Sequence, residues 1–404
     1  MAIKSKLLSR TEWRRLYTFT RMYGWKRTMV KVAGHLRPRG MPWWLLGPAA
    51  VGERSVSVVG CGQHAFSALC FFILESRGNV FLECFDTELR QSESLAAFYG
   101  FRAVASSFEA MLDSSSLRTV YVVSNHASHT PYAVMALQRG LDVYVEKPLA
   151  TSWSQWSFLR QALGDSAGRV FSGCNRPYAP AVVALTGALA GRREPLSLKC
   201  RVRGHVLAPD HWYRRREEGS RICGNACHWI DLWVHCVHRR CQELPASVEV
   251  LLEPEDWGEA DDNYRLTLRS PQRDRLDLHF TSKVDLLEGV WEMIECRCGD
   301  LRCEIDDFRS IRLSSPQGEI VTCYRPKDCG HRVASLQPFL PDSSLRAWSE
   351  VECSTELMLH IAEMTRLRTD VSRVNLDKPG CRAGSVRERS SCRHDAGRMP
   401  WPSS

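Results

Sequence analysis

The chain has 404 residues, 44% hydrophobic, 25% charged and 9% aromatic, which is a globular balance and excludes a collagen, a coiled coil or a wholly disordered chain. The net charge of +8 is unevenly spread: residues 1–40 carry +10, residues 370–404 carry +3, and the body between them is at −5. That distribution argues against a basic body gripping nucleic acid and leaves an electrostatic arm at the N-terminal end.

Residues 11–36 interleave aromatic side chains with Arg and Lys. Trp13, Leu16, Tyr17, Phe19, Tyr23, Met29 and Val30 fit one broad helical stripe, weakened by Gly24. Two readings of this arm (residues 1–50) stay open: an interfacial helix on anionic lipid, giving peripheral membrane contact through residues 1–40, or a helix docked on the body or a partner. Pro38, Gly40, Pro42 and Gly47 then break the chain around Trp43 and Trp44. From residue 55 the texture alternates. SVSVVG reads as a strand, HAFSALCFFILESRG as a helix and NVFLECFD as a strand, and TVYVVS and LDVYVEKP follow as further strands between helical segments. This predicts an α/β Rossmann domain over 51–172 with a doubly wound parallel sheet.

After residue 172 long alternating strands take over, among them RREPLSLKCRVRGHV, RLDLHFTSK and EMIECRCGD. They predict a C-terminal α+β domain over 173–369, built on a large, mostly antiparallel open sheet and closed by a helix near 346–368. Residues 370–404 lack periodicity and read as a disordered tail. The seventeen cysteines are odd in number, scattered, and preceded by no apolar leader in the first 40 residues. Free buried thiols in a reducing cytoplasm are the expectation, and no apolar run is long enough to span a membrane.

Gly60-Cys61-Gly62-Gln63-His64-Ala65 follows the first strand and opens the first helix. Gly60 permits the tight turn, Gly62 leaves room for a pyrophosphate, and Ala65 allows close packing of helix on strand. The helix N-terminus offers N–H groups to the phosphates. Asp86 ends the second strand, where a carboxylate accepts from the adenosine ribose hydroxyls, favouring NAD over NADP. Glu146-Lys147-Pro148 stands at the carboxyl end of a core strand, the ligand edge of such a sheet. A lysine there can bind a substrate hydroxyl and stabilise a developing alkoxide.

The glycine loop, Asp86, SNHASHTPYAVMALQRGLDVYVEKPL and GSRICGNACHWIDL together resemble the Gfo/Idh/MocA family of sugar and cyclitol dehydrogenases, a likeness covering about residues 52–368. SNHASH, GCNRPYAP, PDHW, IDDFRS and KDCGH are similar to one branch, often fused behind a zinc-type alcohol dehydrogenase domain in polysaccharide biosynthesis loci; residues 1–50 resemble the connector that follows such a domain. The resemblance implies an NAD(P)-dependent oxidoreductase with Lys147 and His228 catalytic, and Asp231, three residues on, orienting or tuning the histidine. Imidazole suits the base role because it titrates near neutrality. It further places Ser124, His126, His129 and Glu146 with the glycine loop at the cofactor, and Asn175, Arg176, His211, Trp212 and Asn225 at the substrate. A homo-oligomer through the exposed sheet face is implied, in the cytoplasm or peripheral to its membrane.

Departures stand beside the likeness. Many members have Asp where this chain has Gly224, and the branch carries Glu in place of Asn225 and Arg in place of Asn125. These changes favour an alternative, a catalytically weak NAD-binding scaffold or sensor in a polysaccharide assembly. Cys223, Cys227, His228, His235, Cys236, His238 and Cys241 crowd one segment, but on a helix they point around its circumference, so no metal site is expected. Trp13, Trp25, Trp43 and Trp44 beside basic residues do not make a nucleic-acid platform on an acidic body. His211–Arg216 (HWYRRR) is a candidate grip for a phosphate or carboxylate on the substrate.

Overall fold

The computed structural model describes residues 9–38, 40, 51–259, 261–283 and 289–376. The expectations for Trp43, Trp44 and residues 377–404 lie outside the described residues.

The first sheet has six strands: β1 (Val51–Val59), β2 (Asn79–Phe85), β3 (Ala103–Val104), β4 (Thr119–Val122), β5 (Asp142–Val145) and β6 (Val170–Ser172). Their order is β3-β2-β1-β4-β5-β6, and every neighbouring pair is parallel. All four residues of β4 are buried, as expected of a strand covered on both faces. The crossovers are helical. A π-helical turn (Ala65–Leu69) runs into α3 (Cys70–Arg77), followed by α4 (Leu89–Tyr99), α5 (Phe108–Leu112), α6 (His126–Leu137) and α7 (Trp153–Gly164). Strand order reverses between β1 and β4, so the crevice for a ligand opens where Gly60 meets Ser124.

The second sheet has nine strands, β7 (Leu196–Arg203), β8 (Ser247–Pro254), β9 (Asn263–Arg269), β10 (Arg275–Thr281), β11 (Trp291–Cys298), β12 (Leu301–Asp306), β13 (Ser310–Ser315), β14 (Gly318–Cys323) and β15 (Val371–Asn375). Only β7 and β10 pair in parallel; the other neighbours are antiparallel. Leu196, Leu198, Cys200 and Val202 alternate inward along β7 while their neighbours face out, giving one buried face. Onto that face pack α8 (Pro180–Leu189), α9 (Cys227–Cys241) and α11 (Trp348–Leu367). Cys200, Cys236, Cys296 and Cys303 serve there as small apolar core residues. The predicted tail needs a correction at its start: β15 pairs antiparallel with β8, with Val374 buried, so residues 371–375 complete the sheet.

The N-terminal arm forms α1 (Arg10–Tyr23) and α2 (Trp25–Leu36), broken at Gly24, whose φ of 84° is readily available only to glycine. A reciprocal cap starts α1: the Ser9 hydroxyl accepts from Glu12 N at 3.2 Å, and the Glu12 carboxylate from Ser9 N at 2.7 Å. The arm docks by its inner face. Val30 is fully buried, the Gln63 amide lies so close to Gly34 that a Cβ there would meet it at 2.8 Å, and Met22 O accepts from Lys327 N at 2.7 Å. The arm therefore touches both the dinucleotide-type domain and the loop before α10 (His331–Ser335).

Candidate active site

The glycine turn is shaped by its neighbours. Gly60 has φ +87°, and a Cβ on it would lie 2.4 Å from Ser124 N, so only glycine fits where β1 meets β4. At Gly62 a Cβ would meet nothing within 4 Å, so the space in front of the helix N-terminus is open. An open cradle beside free N–H groups fits a pyrophosphate. Both backbone polar groups of Cys61 are held: its N–H donates to Asp86 Oδ2 at 2.6 Å, and its carbonyl accepts from the Arg37 guanidinium of the arm at 2.8 Å. Asp86 Oδ1 accepts from Glu88 N at 2.9 Å, which fixes the carboxylate at the end of β2 beside the turn. Arg37 was not identified from sequence.

At the end of β5, Glu146 is buried. Its carboxylate accepts from Tyr144 OH at 2.9 Å and faces His64 Nε2 at 3.1 Å. Burial alone would raise the Glu146 carboxyl, but the His64 imidazole and the Lys147 ammonium outweigh it and hold it far below the usual carboxylate range. Lys147 Nζ donates to Gly224 O at 3.0 Å and lies 3.5 Å from Tyr213 OH. Burial alone would lower the lysine; Tyr213, Cys227 and Glu146 reverse that, so it stays an ammonium.

His228 sits on the first turn of α9, buried, with Nδ1 lacking a hydrogen-bond partner among the described residues. Burial, reinforced by the charges of Arg176 and Lys147, pushes its pKa well below the usual histidine value. The imidazole is therefore neutral, and the same burial and charges make it a weaker base than a free histidine. His126 opens α6 and is likewise lowered by burial and by Lys147. Its ring lies 4.7 Å from that of Tyr213 and 4.8 Å from that of Trp212. A Cβ on Gly224 would lie 2.6 Å from Tyr213 Cε2 and 2.9 Å from His126 Cε1. The aromatic ring thus fills the space that a side chain at 224 would need, a contact invisible in the sequence.

Glu218, also missed, reaches across from the second domain. Its carboxylate accepts from Asn125 Nδ2 at 2.6 Å and from Ala127 N at 3.0 Å, capping α6, and its carbonyl meets His126 Nδ1 at 3.0 Å. His211 Nδ1 accepts from Tyr213 N at 3.2 Å, turning the HWYRRR segment so that Trp212 and Tyr213 face His126. Arg214 binds Asp262 at 2.7 Å, and Arg214, Arg215 and Arg216 together border a cavity of about 700 Å³ lined also by Trp153, Trp257 and Arg366. Asn225 is half-buried and its Oδ1 accepts from Arg221 Nε at 3.4 Å.

Several expected site residues are committed elsewhere. Asp231 does not orient His228: it accepts two hydrogen bonds from Arg346, at 2.9 and 3.0 Å, and one from Ser354 Oγ, turning toward α11. Arg176 does not face substrate, because it forms a buried double contact with Glu292 at 3.0 and 2.5 Å, and Glu292 also accepts from Trp229 Nε1. Asn175 holds the loop before α10, donating to Cys329 O at 2.6 Å and accepting from Arg176. His129 lies between the carbonyls of Pro148 and Ser124, at 2.8 and 3.0 Å, as a brace behind the cofactor edge. The Gln63 side chain donates to Lys31 O of the arm at 3.1 Å, leaving only its backbone for a phosphate. The Ser124 hydroxyl accepts from Ser128 Oγ at 2.6 Å, at the rim of the crevice. In the crowded segment His235 faces Glu350 at 2.7 Å, and among the described residues no group of three or more His, Cys, Asp or Glu is arranged to hold a metal ion.

Residues 54–173 match the family model described as the oxidoreductase family with an NAD-binding Rossmann fold, GFO_IDH_MocA. No curated protein sequence matches the chain. Among solved structures, GenD2 from gentamicin A biosynthesis, in complex with NAD, is similar at 18% identity and a TM-score of 0.66, covering 84% of this chain and 99% of that one. A putative myo-inositol dehydrogenase from Sinorhizobium meliloti is similar at 14% identity and a TM-score of 0.61, over 81% and 100% of the two chains. A putative NADPH-dependent oxidoreductase from Desulfitobacterium hafniense is similar at 12% identity and a TM-score of 0.64, over 80% and 97%. At these identities the likeness is one of fold, and it extends through both domains.

Proposed function

We propose that this chain, whose residues 54–173 match the NAD-binding domain of the Gfo/Idh/MocA oxidoreductases, is an NAD-dependent dehydrogenase acting on a secondary alcohol of a sugar, nucleotide sugar or cyclitol, or running the reverse reduction. The observation that carries the reading is a lysine kept charged at the end of β5 and a buried histidine kept neutral partly by the field of that same lysine. The Gly60–Ala65 turn holds the cofactor phosphates and Asp86 its adenosine ribose, with Ser124 and His126 across the crevice. When bound, NAD supplies the acceptor for a hydride. The chain's own residues manage the proton: Lys147 Nζ donates a hydrogen bond to the substrate oxygen, and the imidazole of His228 takes the hydroxyl proton. The ammonium then stabilises the alkoxide. His211, Trp212, Tyr213 and Asn225 border the place where the rest of the substrate lies.

The solved neighbours named for gentamicin biosynthesis and for myo-inositol support this substrate class. A place in cell-surface polysaccharide metabolism belongs to the same proposal and rests on the branch-like stretches GCNRPYAP, PDHW and KDCGH. One observation favours a second reading, the weakly catalytic NAD-bound scaffold: Lys147 is already engaged by Gly224 O and Tyr213 OH. The test is NADH formation by the full chain across a panel of cyclitols, sugars and nucleotide sugars. Turnover of one class supports the dehydrogenase; NAD binding with no turnover on any class supports the scaffold.

A further inference from the structure

We propose that the α1–α2 hairpin is a docking surface for an anionic lipid bilayer. Of the thirteen large apolar side chains left exposed among the described residues, five lie on this one hairpin: Trp13, Tyr17, Trp25, Met29 and Leu36. Leu36 is 75% exposed, Tyr17 64% and Trp13 58%. Their spacing is helical. Trp13 and Tyr17 are four residues apart on α1; Trp25 and Met29 are four apart on α2, with Leu36 seven further along the same stripe. The opposite face, with Met22, Thr28, Val30 and Gly34, is the one seated on the body. The hairpin thus has a docked inner face and an outer face whose apolar groups meet solvent.

Charge selects the occupant. Residues 9–38 contain eight Lys or Arg and a single acid, Glu12, which is engaged in the cap of α1. Arg10, Arg14, Arg21 and Lys26 are exposed around the apolar stripe, and the Arg21 guanidinium lies 5.9 Å from the centre of the Tyr17 ring. Aromatic rings with a polar handle, flanked by long basic side chains, suit the headgroup level of a membrane, where rings enter the interface and cations meet anionic lipid. The body, at −5, is repelled by the same surface, so attraction is confined to the hairpin side. Met29 and Leu36 distinguish this face from a nucleic-acid platform, since aliphatic side chains give bases nothing to stack on.

The test is flotation of the full chain with vesicles of phosphatidylcholine alone and with vesicles containing phosphatidylglycerol. Binding is expected to the anionic vesicles only and to weaken with salt. Arg14→Gln with Lys26→Gln should lower partitioning roughly 25-fold, about a factor of five for each basic group removed. Trp13→Ser with Trp25→Ser should abolish it, with unchanged thermal melting showing that both variants fold. Equal binding to neutral vesicles, or none to anionic ones, overturns the proposal. So does a result in which the same substitutions instead remove binding to a labelled RNA or change the oligomeric state while vesicles are ignored.

Discussion

The hydroxyl of Tyr213 stands 3.5 Å from the ammonium of Lys147, and its ring occupies the space over Gly224. The pair links a residue of the dinucleotide-type domain to a loop of the second domain directly at the proposed reaction centre. Gly224 is therefore a packing requirement. Gly224→Asp, which restores the acid common in the resembling family, should cost about 1–3 kcal/mol through overpacking, read as a lowered thermal midpoint. Adding Tyr213→Ala should recover part of that loss, since it removes the closer of the two clashing rings and leaves His126 at 2.9 Å. Equal losses in the single and double variants would contradict the contact.

The glycine turn allows two substitutions to be set against each other. Gly60→Ala should destabilise the fold, because its Cβ collides with the backbone at Ser124 and its φ is positive. Gly62→Ala should leave the melting temperature unchanged and weaken the stabilisation given by added NAD, since its Cβ meets only open space. An unaltered NAD-induced thermal shift in Gly62→Ala would show that the cofactor does not lie there.

His126 and His228 are both held neutral, their pKa values lowered by burial. Between their folded values and the unfolded value near 6.5 the unfolded chain binds more protons, so stability is full above that value and falls as pH drops below it. Each group contributes about 1.4 kcal/mol per pH unit in that window. Glu146 and Glu350, whose folded pKa values are lowered, add losses in the same direction at lower pH. Urea denaturation should show a lower midpoint near about pH 5 than near about pH 7, and His228→Phe should flatten the dependence. A pH-independent midpoint would contradict the burial of neutral imidazoles.

Asp231 separates a structural role from a tuning role. Asp231→Ala leaves Arg346 buried with half its partners and should cost about 3–5 kcal/mol, seen in denaturation. The pH profile of the folded remainder should match that of the parent. A shifted profile with unchanged stability would restore Asp231 to the histidine.

Local patterns carried much of this account in the sequence. Strand, Gly60-Cys61-Gly62 and helix are contiguous, and Asp86 and Glu146-Lys147 end strands, so backbone periodicity alone places them on one sheet edge. What stayed hidden depends on residues distant in sequence. Nothing near Asp231 signals that Arg346 will claim it, and nothing near Cys61 signals an arginine from the arm. Periodicity put His228 and Asp231 on one helical side; the tertiary partner on α11 then decided which way the acid turned. Tyr213 and Glu218 belong to a segment without regular periodicity, where only the folded loop path brings them to Lys147 and to the start of α6.

The central claim is that Lys147 and His228 perform proton chemistry on a bound alcohol. The most direct test is the rate of substrate-dependent NADH formation by the parent chain, Lys147→Met and His228→Asn, on whichever substrate class the panel identifies. Each substitution should lower kcat by roughly 100-fold or more while the variants remain folded. Variants turning over at the parent rate would contradict the assignment of both residues.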